Sequence, residues 1–302
     1  MKKVAVLLAS YNGERYIGRQ IESIMRQTYP DIELYIRDDC STDGTVEVIK
    51  SYKEKYDNIH LIESKENLGY PGCFYALTDD TSIQADYYAF ADQDDYWLKN
   101  KIARAVSVLE KQDDKVACSY YSGYMMCKSN LKAQKKSRPR KQRISFAESL
   151  FEVCGMEFTQ VVNGEAMKLI RTYKPKKASA RGTWMSPLIS GMGKVVYDNY
   201  CSAYYRRHES AVTNSDMGAL GIWIWRIKEF LFGGFDEYKI LLEDIEEVIG
   251  SRLSAKDAKV LSVFTAKKTV PNQLMKALYP KRLRSRWIDE IALRSMFLIW
   301  RL

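Results

Sequence analysis

Tyr87-Tyr88-Ala89-Phe90-Ala91-Asp92-Gln93-Asp94-Asp95-Tyr96-Trp97 decides how this chain is read: an apolar run passes directly into three carboxylates within four positions. A short, unbroken apolar run ended by polar residues reads as a strand buried on both faces. In an open α/β sheet ligands collect beyond the carboxyl ends of the strands, so acids placed there face a ligand. Oxygen ligands at this density suit a hard dication, Mg²⁺ or Mn²⁺, which also holds the phosphate oxygens of a substrate.

Working outward, Val4–Ala9, Ile32–Arg37, Ile59–Glu63 and Val116–Tyr121 read as further strands, alternating with amphipathic stretches. Tyr16, Ile17, Ile21, Ile24 and Met25 recur at helical spacing, and Thr45–Tyr56 and Leu98–Glu110 read as later crossover helices. This alternation predicts an α/β fold with a parallel sheet covered by helices. Met156–Val162, Lys194–Tyr197 and Cys201–Arg206 predict antiparallel strands that complete the sheet, and from about Thr213 the composition turns helical. With 302 residues and 46% hydrophobic content, the chain can bury a large core. Its net charge of +9 calls for an anionic partner.

Two more strand ends carry chemistry. Ala9-Ser10-Tyr11-Asn12-Gly13-Glu14 combines a glycine turn with a helix start, whose amides attract anions. Arg37-Asp38-Asp39-Cys40-Ser41-Thr42-Asp43-Gly44-Thr45 sets two acids side by side; capping accounts for Ser41 or Asp43, whereas adjacent like charges need a cation or a donor-rich ligand. The six scattered cysteines form no CxxC pair, which argues against a zinc site and a disulfide framework and suits a reducing cytoplasm.

Taken in order with Asn67-Leu68-Gly69, these motifs resemble glycosyltransferase family 2, most closely its bacterial rhamnosyltransferase-like enzymes of cell-envelope polysaccharide synthesis, over roughly residues 1–210. The resemblance implies a GT-A fold: a Rossmann-like mixed sheet flanked by helices, as a catalytic domain over 1–212 with a helical C-terminal region over 213–302. It further implies an inverting transfer of rhamnose or another hexose from a dTDP- or UDP-linked donor to a lipid-linked or growing polysaccharide. Ala9, Ser10, Tyr11, Asn12, Glu14, Asn67, Gly69, Asp92 and Arg206 would line the nucleotide-sugar site, with Asp39 accepting the base imide N–H. Asp92, Asp94 and Asp95 match the DxD-type motif, with Asp94 and Asp95 counted as catalytic, and His208 of Tyr205-Arg206-Arg207-His208 offers the metal a nitrogen ligand. One departure stands out. Where related enzymes carry the acid that deprotonates the acceptor, Arg181-Gly182-Thr183-Trp184 has glycine. Glu157 is the leading substitute base and Asp198 the second. That departure leaves open a non-catalytic nucleotide-binding subunit. A sugar nucleotidyltransferase ranks lower, because no Gly-rich loop bearing Lys and Arg follows the first strand.

From Lys128 to Arg143 eight basic residues occur without an acid, the pattern of a solvated loop that also suits anionic headgroups or a lipid-linked pyrophosphate. The run has no interleaved aromatic residues, which argues against nucleic acid. In the tail Lys281, Arg282, Arg284, Arg286, Arg294 and Arg301 alternate with large apolar residues including Trp287 and Trp300. This predicts a helix lying in an anionic membrane interface; a tail packed on the catalytic domain or on a second subunit would show similar residues, and Ile222–Ile227 suits the same surface or equally a core helix. No window approaches the roughly 18 apolar residues of a spanning helix. The expectation is a cytoplasmic protein bound peripherally to the inner face of the cell membrane.

Overall fold

A computed structural model describes residues 1–177, 180–207 and 236–302. Nine strands among these residues form one mixed sheet in the order β3-β2-β1-β4-β8-β6-β9-β5, with β7 paired to β6. They are β1 (Val4–Ser10), β2 (Ile32–Asp38), β3 (Ile59–Glu63), β4 (Tyr87–Asp92), β5 (Tyr96–Trp97), β6 (Cys118–Lys128), β7 (Ala133–Lys136), β8 (Val161–Asn163) and β9 (Lys194–Arg207). The first four run parallel, with β1 paired to both β2 and β4 and β3 paired to β2.

Strand β1 shows why its apolar run is unbroken. Side chains alternate between faces: Val4, Val6 and Leu8 enter one core, Ala5 and Leu7 the other. The first core is covered by α1 (Glu14–Met25), α2 (Thr45–Lys53) and α4 (Lys101–Leu109), through Ile17, Ile21, Ile49 and Ile102. The second is covered by α3 (Gly69–Asp79), α6 (Gly164–Thr172) and α7 (Arg181–Met192). Three C-terminal helices, α8 (Asp236–Ile249), α9 (Ala255–Thr265) and α11 (Trp287–Leu298), bring Ile245, Phe264 and Phe297 into that same core. Two further short helices are α5 (Phe146–Ser149) and α10 (Val270–Ala277). Truncating a fully buried leucine such as Leu7 or Leu188 costs about 2–5 kcal/mol.

Helix α3 is not evident from the sequence because Gly69, Pro71 and Gly72 crowd its start, and Tyr70 keeps non-helical backbone angles. The basic run is not wholly loop: its middle, Ala133–Lys136, is an exposed edge strand. Two expectations for the later strands need correction. Met156–Val162 divides into a 3₁₀ turn at Glu157–Thr159 and the short β8. Strand β8 is antiparallel to β4 and β6 as expected, but Lys194–Tyr197 and Cys201–Arg206 form one strand, β9, that pairs in parallel with β6 across two register shifts. The connection from β6 through α7 returns the chain to the same end of the sheet, so β9 enters in the direction of β6.

The tail does not lie free. Leu293 and Phe297 of α11 are buried, with Phe297 against Phe151 and Phe264, while Trp287, Ile288, Ile291, Leu298, Ile299 and Trp300 remain exposed. Ile222–Ile227 lies outside the described residues. Among the described residues no helix is long and apolar enough to cross a membrane.

Candidate active site

Register brings the three strand ends together: Ser10 pairs with Asp38 and Ala9 with Asp92. The loops that follow are laced by hydrogen bonds. Asn12, at φ 47°, donates its N–H to Ser41 Oγ at 2.9 Å and accepts the Thr42 N–H at 2.8 Å. Gly13 N–H donates to Thr45 Oγ1. Glu14 accepts the Gly44 N–H at the start of α2, so its carboxylate serves the loop itself. The Gln93 amide brackets Tyr11, accepting from its N–H and donating to its carbonyl, both at 2.9 Å. A Cβ at Gly13 would collide with Gln93 Oε1 and displace the amide from this bracket.

The adjacent acids Asp38 and Asp39 need no common cation, contrary to the expectation from charge alone. Their side chains diverge, as successive residues at a strand end do. Asp38 is buried and accepts from Ser10 Oγ at 3.0 Å, Ser41 Oγ at 2.6 Å and Ser41 N–H at 2.8 Å. Asp39, also buried, takes Arg37 Nη1 at 3.2 Å, the Leu68 N–H at 3.0 Å and the Gly69 N–H at 2.7 Å. Asn67 Oδ1 also accepts from Gly69, which stands at φ +60°. The Asn67–Gly69 turn is thereby tied to the second strand end.

Asp92 closes β4 beside this floor. Burial, then the neighbouring Asp94 charge, pushes its carboxyl up to about 7, with Arg181 opposing and Glu157 reinforcing the rise. Asp95 is fully buried; its Oδ1 accepts the Arg206 N–H at 3.1 Å, whereas Oδ2 has no hydrogen-bond partner. Burial and the two neighbouring acids raise its pKa well above the usual carboxylate range. Lys101, buried against the Trp97 ring with its Nζ at 4.6 Å, is drawn down to about 7 by burial, and Asp95 opposes that fall.

Among the described residues no three His, Cys, Asp or Glu side chains form a ready metal cage. A dication completed by substrate phosphates needs only one or two carboxylates. Asp92, beside Asp94 and short of compensating charge, fits that requirement. His208 lies outside the described residues.

Arg206 is more a clamp than a free phosphate ligand. Its Nε donates to the Asp94 carbonyl at 2.7 Å and its Nη1 to the Ser129 carbonyl at 3.0 Å, with the guanidinium 4.8 Å from the Tyr16 ring. Only Nη2 is left without a partner.

Opposite Asp92 sits an acid that sequence spacing alone does not place. Glu157 accepts from Tyr70 Oη, 2.9 and 3.0 Å from its two oxygens, and its Oε2 forms an ion pair with Arg181 Nη2 at 2.8 Å. The Gly182 N–H also donates to it, and a Cβ at Gly182 would stand 2.5 Å from Oε1. Arg181 is fully buried between the Phe74 and Phe90 rings, at 4.3 and 4.2 Å, which fixes its guanidinium under the carboxylate. Burial, then Glu157, raises the Tyr70 phenol pKa, so it remains a donor. Glu157 therefore lies in a short 3₁₀ turn with three groups around it, Tyr70, Arg181 and Gly182, not on a surface strand. Asp198 is held elsewhere by Arg104 Nε at 2.5 Å and Tyr120 Oη at 3.2 Å. Tyr70 and Arg181 escaped the sequence reading; the only signal was their adjacency to Gly69 and Gly182.

The family model described as Glycosyl transferase family 2 matches residues 5–161. A dTDP-rhamnosyl transferase of Shigella flexneri, RfbG, is 32% identical over 53% of this chain and 55% of its own length. An Escherichia coli enzyme, WfaP, named UDP-Glc:alpha-D-GlcNAc-diphosphoundecaprenol beta-1,3-glucosyltransferase, is 30% identical over 70% of this chain and 80% of its own. The Staphylococcus aureus TarS 1–349 structure in complex with UDP-GlcNAc shares the fold at a TM-score of 0.59 and 16% identity, covering 99% of this chain and 91% of that one. With the strand-end motifs assembled on one side of a GT-A sheet, the chain belongs to glycosyl transferase family 2 and is a glycosyltransferase that works on nucleotide-sugar donors.

Proposed function

We propose that this enzyme transfers rhamnose or another hexose from a dTDP- or UDP-linked donor to a lipid-linked or growing cell-envelope glycan, with inversion at the anomeric carbon. The observation that carries the reading is the Glu157 carboxylate, which fills the space left by Gly182 and shares one electrostatic neighbourhood with Asp92 and Arg181.

In this mechanism Ser10, Tyr11 and Asp39 line the base pocket, and Asp92 and Asp94 meet the donor diphosphate. Asp95 and Arg206 hold that loop from within. A Mg²⁺ or Mn²⁺ bound at Asp92 and Asp94 would neutralise charge developing on the leaving nucleoside diphosphate. Glu157 accepts the proton of the acceptor hydroxyl as its oxygen attacks the anomeric carbon, and the bond from that carbon to the diphosphate breaks. Tyr70 and Arg181 orient the carboxylate. The glycine at 182 motivated a non-catalytic reading; Glu157 supplies an acid in the same space and removes that motive.

The reading extends to the whole chain: a catalytic unit over 1–212 and a C-terminal unit over 213–302 that rests on the inner face of the cell membrane. Among the described residues ten of the sixteen exposed large apolar ones fall between Val270 and Trp300, which supports an interfacial role for α10 and α11. The names of the similar rhamnosyl- and glucosyltransferases support the donor class and a lipid-diphosphate acceptor. The test is titration of the protein with UDP, dTDP and GDP, each with Mn²⁺ and then EDTA, followed by a transfer assay on Asp94→Ala. Metal-dependent binding of UDP or dTDP is expected, with turnover lost in the variant. Full activity of Asp94→Ala would overturn the metal assignment.

A further inference from the structure

The strand pair β6–β7 carries positive charge that the described residues do not neutralise. Lys128, Lys132, Lys135, Lys136, Arg138 and Arg143 enter no ion pair among the described residues, and all six are exposed. Arg140 and Lys141 are the only members of the run that do, with Glu152 and Glu148.

Both ends of this run are tied to segments that flank the candidate site. At its start the Ser129 carbonyl accepts Arg206 Nη1, and Arg206 Nε donates to the Asp94 carbonyl. At its end Arg140 Nη1 donates to the carbonyls of Val153 at 2.7 Å and Cys154 at 2.9 Å, in the turn that leads into Glu157. Arg140 also pairs with Glu152 at 3.1 Å, and Glu152 accepts from Ser285 N–H at 2.6 Å and Ser285 Oγ at 2.7 Å, just before α11. The cationic strand thus runs from the metal-binding loop to the segment that bears the exposed apolar residues.

Resting on the glycosyltransferase reading with a lipid-linked acceptor, we propose that the exposed cations of the β6–β7 hairpin bind the diphosphate of that acceptor and deliver its sugar to Glu157. The hairpin has none of the exposed large apolar residues that insertion into lipid needs, so it suits a phosphate-bearing ligand better than a bilayer. A lysine is a flexible point charge and tolerates a diphosphate at varying depth, in keeping with a growing glycan.

The test measures binding of geranyl diphosphate by the whole chain, with UDP and dTDP plus Mn²⁺ present to fill the donor site. Inorganic pyrophosphate and phosphatidylglycerol vesicles serve as separate probes. Wild type is expected to bind geranyl diphosphate, and Lys135→Glu with Lys136→Glu is expected to weaken it about tenfold while nucleotide and vesicle binding stay unchanged. Three results would overturn the proposal: no binding by wild type, equal binding by the double variant, or a double variant that loses only the vesicles. Pyrophosphate bound as tightly as the isoprenyl form overturns the lipid-linked source. Asp94→Ala separates the two readings, since it is expected to lose transfer and keep geranyl diphosphate.

Discussion

The Glu157 carboxylate stands where the side chain of residue 182 would begin: Oε1 lies 2.5 Å from the site of a Cβ on Gly182, and the Gly182 N–H donates to that same oxygen. Acid and glycine are a matched pair, because any side chain at 182 expels the carboxylate.

Exchanging the pair tests this relationship. Glu157→Gln is expected to lower kcat by about 100- to 10,000-fold, with the donor KM little changed. Gly182→Asp alone should also lose activity, through the clash with Glu157. Gly182→Asp combined with Glu157→Ala should recover part of the rate. If the double variant is no better than Glu157→Ala, the acid has no role at that position.

In the proposed mechanism Tyr70 and Arg181 act through Glu157 as positioning residues. Tyr70→Phe removes the one O–H shared between both oxygens of the partly buried Glu157 carboxylate, so kcat should fall modestly while thermal stability holds. Arg181→Met leaves Glu157 without its ion pair, and a larger loss of kcat is expected. Equal losses of donor KM in both variants would instead mark a structural effect.

Asp92 gives the site a pH dependence. Its carboxyl, raised to about 7, is neutral below that pH, so a dication held there as proposed would compete with the proton. Affinity for Mn²⁺ with nucleotide should weaken by about tenfold per pH unit below 7 and level off above it. For the metal-free protein the sign is opposite. The unfolded carboxyl ionises near its ordinary value, so between there and about 7 the folded state binds more protons, and stability falls as pH rises. Thermal melts across this window, with and without Mn²⁺, check both trends.

Gly13 and Gln93 test the lacing of the strand-end loops. Gly13→Ala displaces the Gln93 amide from both Tyr11 backbone groups and should cost about 1–2 kcal/mol of stability and weaken nucleotide binding. Gln93→Ala should be no worse in the Gly13→Ala background than alone. Additive losses in the double-mutant cycle would mean that the two residues act independently.

The two faces of α11 should separate cleanly. Phe297→Ala empties a core site shared with Phe151 and Phe264 and should cost about 3–5 kcal/mol. Ile291→Ser with Trp300→Ser touches only exposed positions, so stability should hold while binding to phosphatidylglycerol vesicles drops. Retained vesicle binding in that variant would remove the tail from the interface.

By itself the sequence determined where the four parallel strands β1 to β4 run and which of their ends carry acids. Val4–Ala9 and Tyr87–Ala91 are unbroken apolar runs because each strand feeds two cores, and the observed strands extend them by a single residue. Such a pattern is local and survives in one dimension. The strand-end acids were legible for the same reason, since the chain turns immediately after each run.

Only the tertiary structure decided which distant groups meet. Glu157 lies 87 positions from Tyr70 and 25 from Gly182, and no periodicity couples such positions. Asp38 and Asp39 look alike in sequence but part company in space, one to serines and the other to backbone amides of the Asn67–Gly69 turn. Arg206, read as a phosphate ligand from its charge, spends most of its donors joining the Asp92–Asp95 loop to the basic hairpin. Spacing along a chain fixes the faces of strands and helices; a buried polar group takes whichever partner packing places within hydrogen-bond reach, and that partner belongs to another segment.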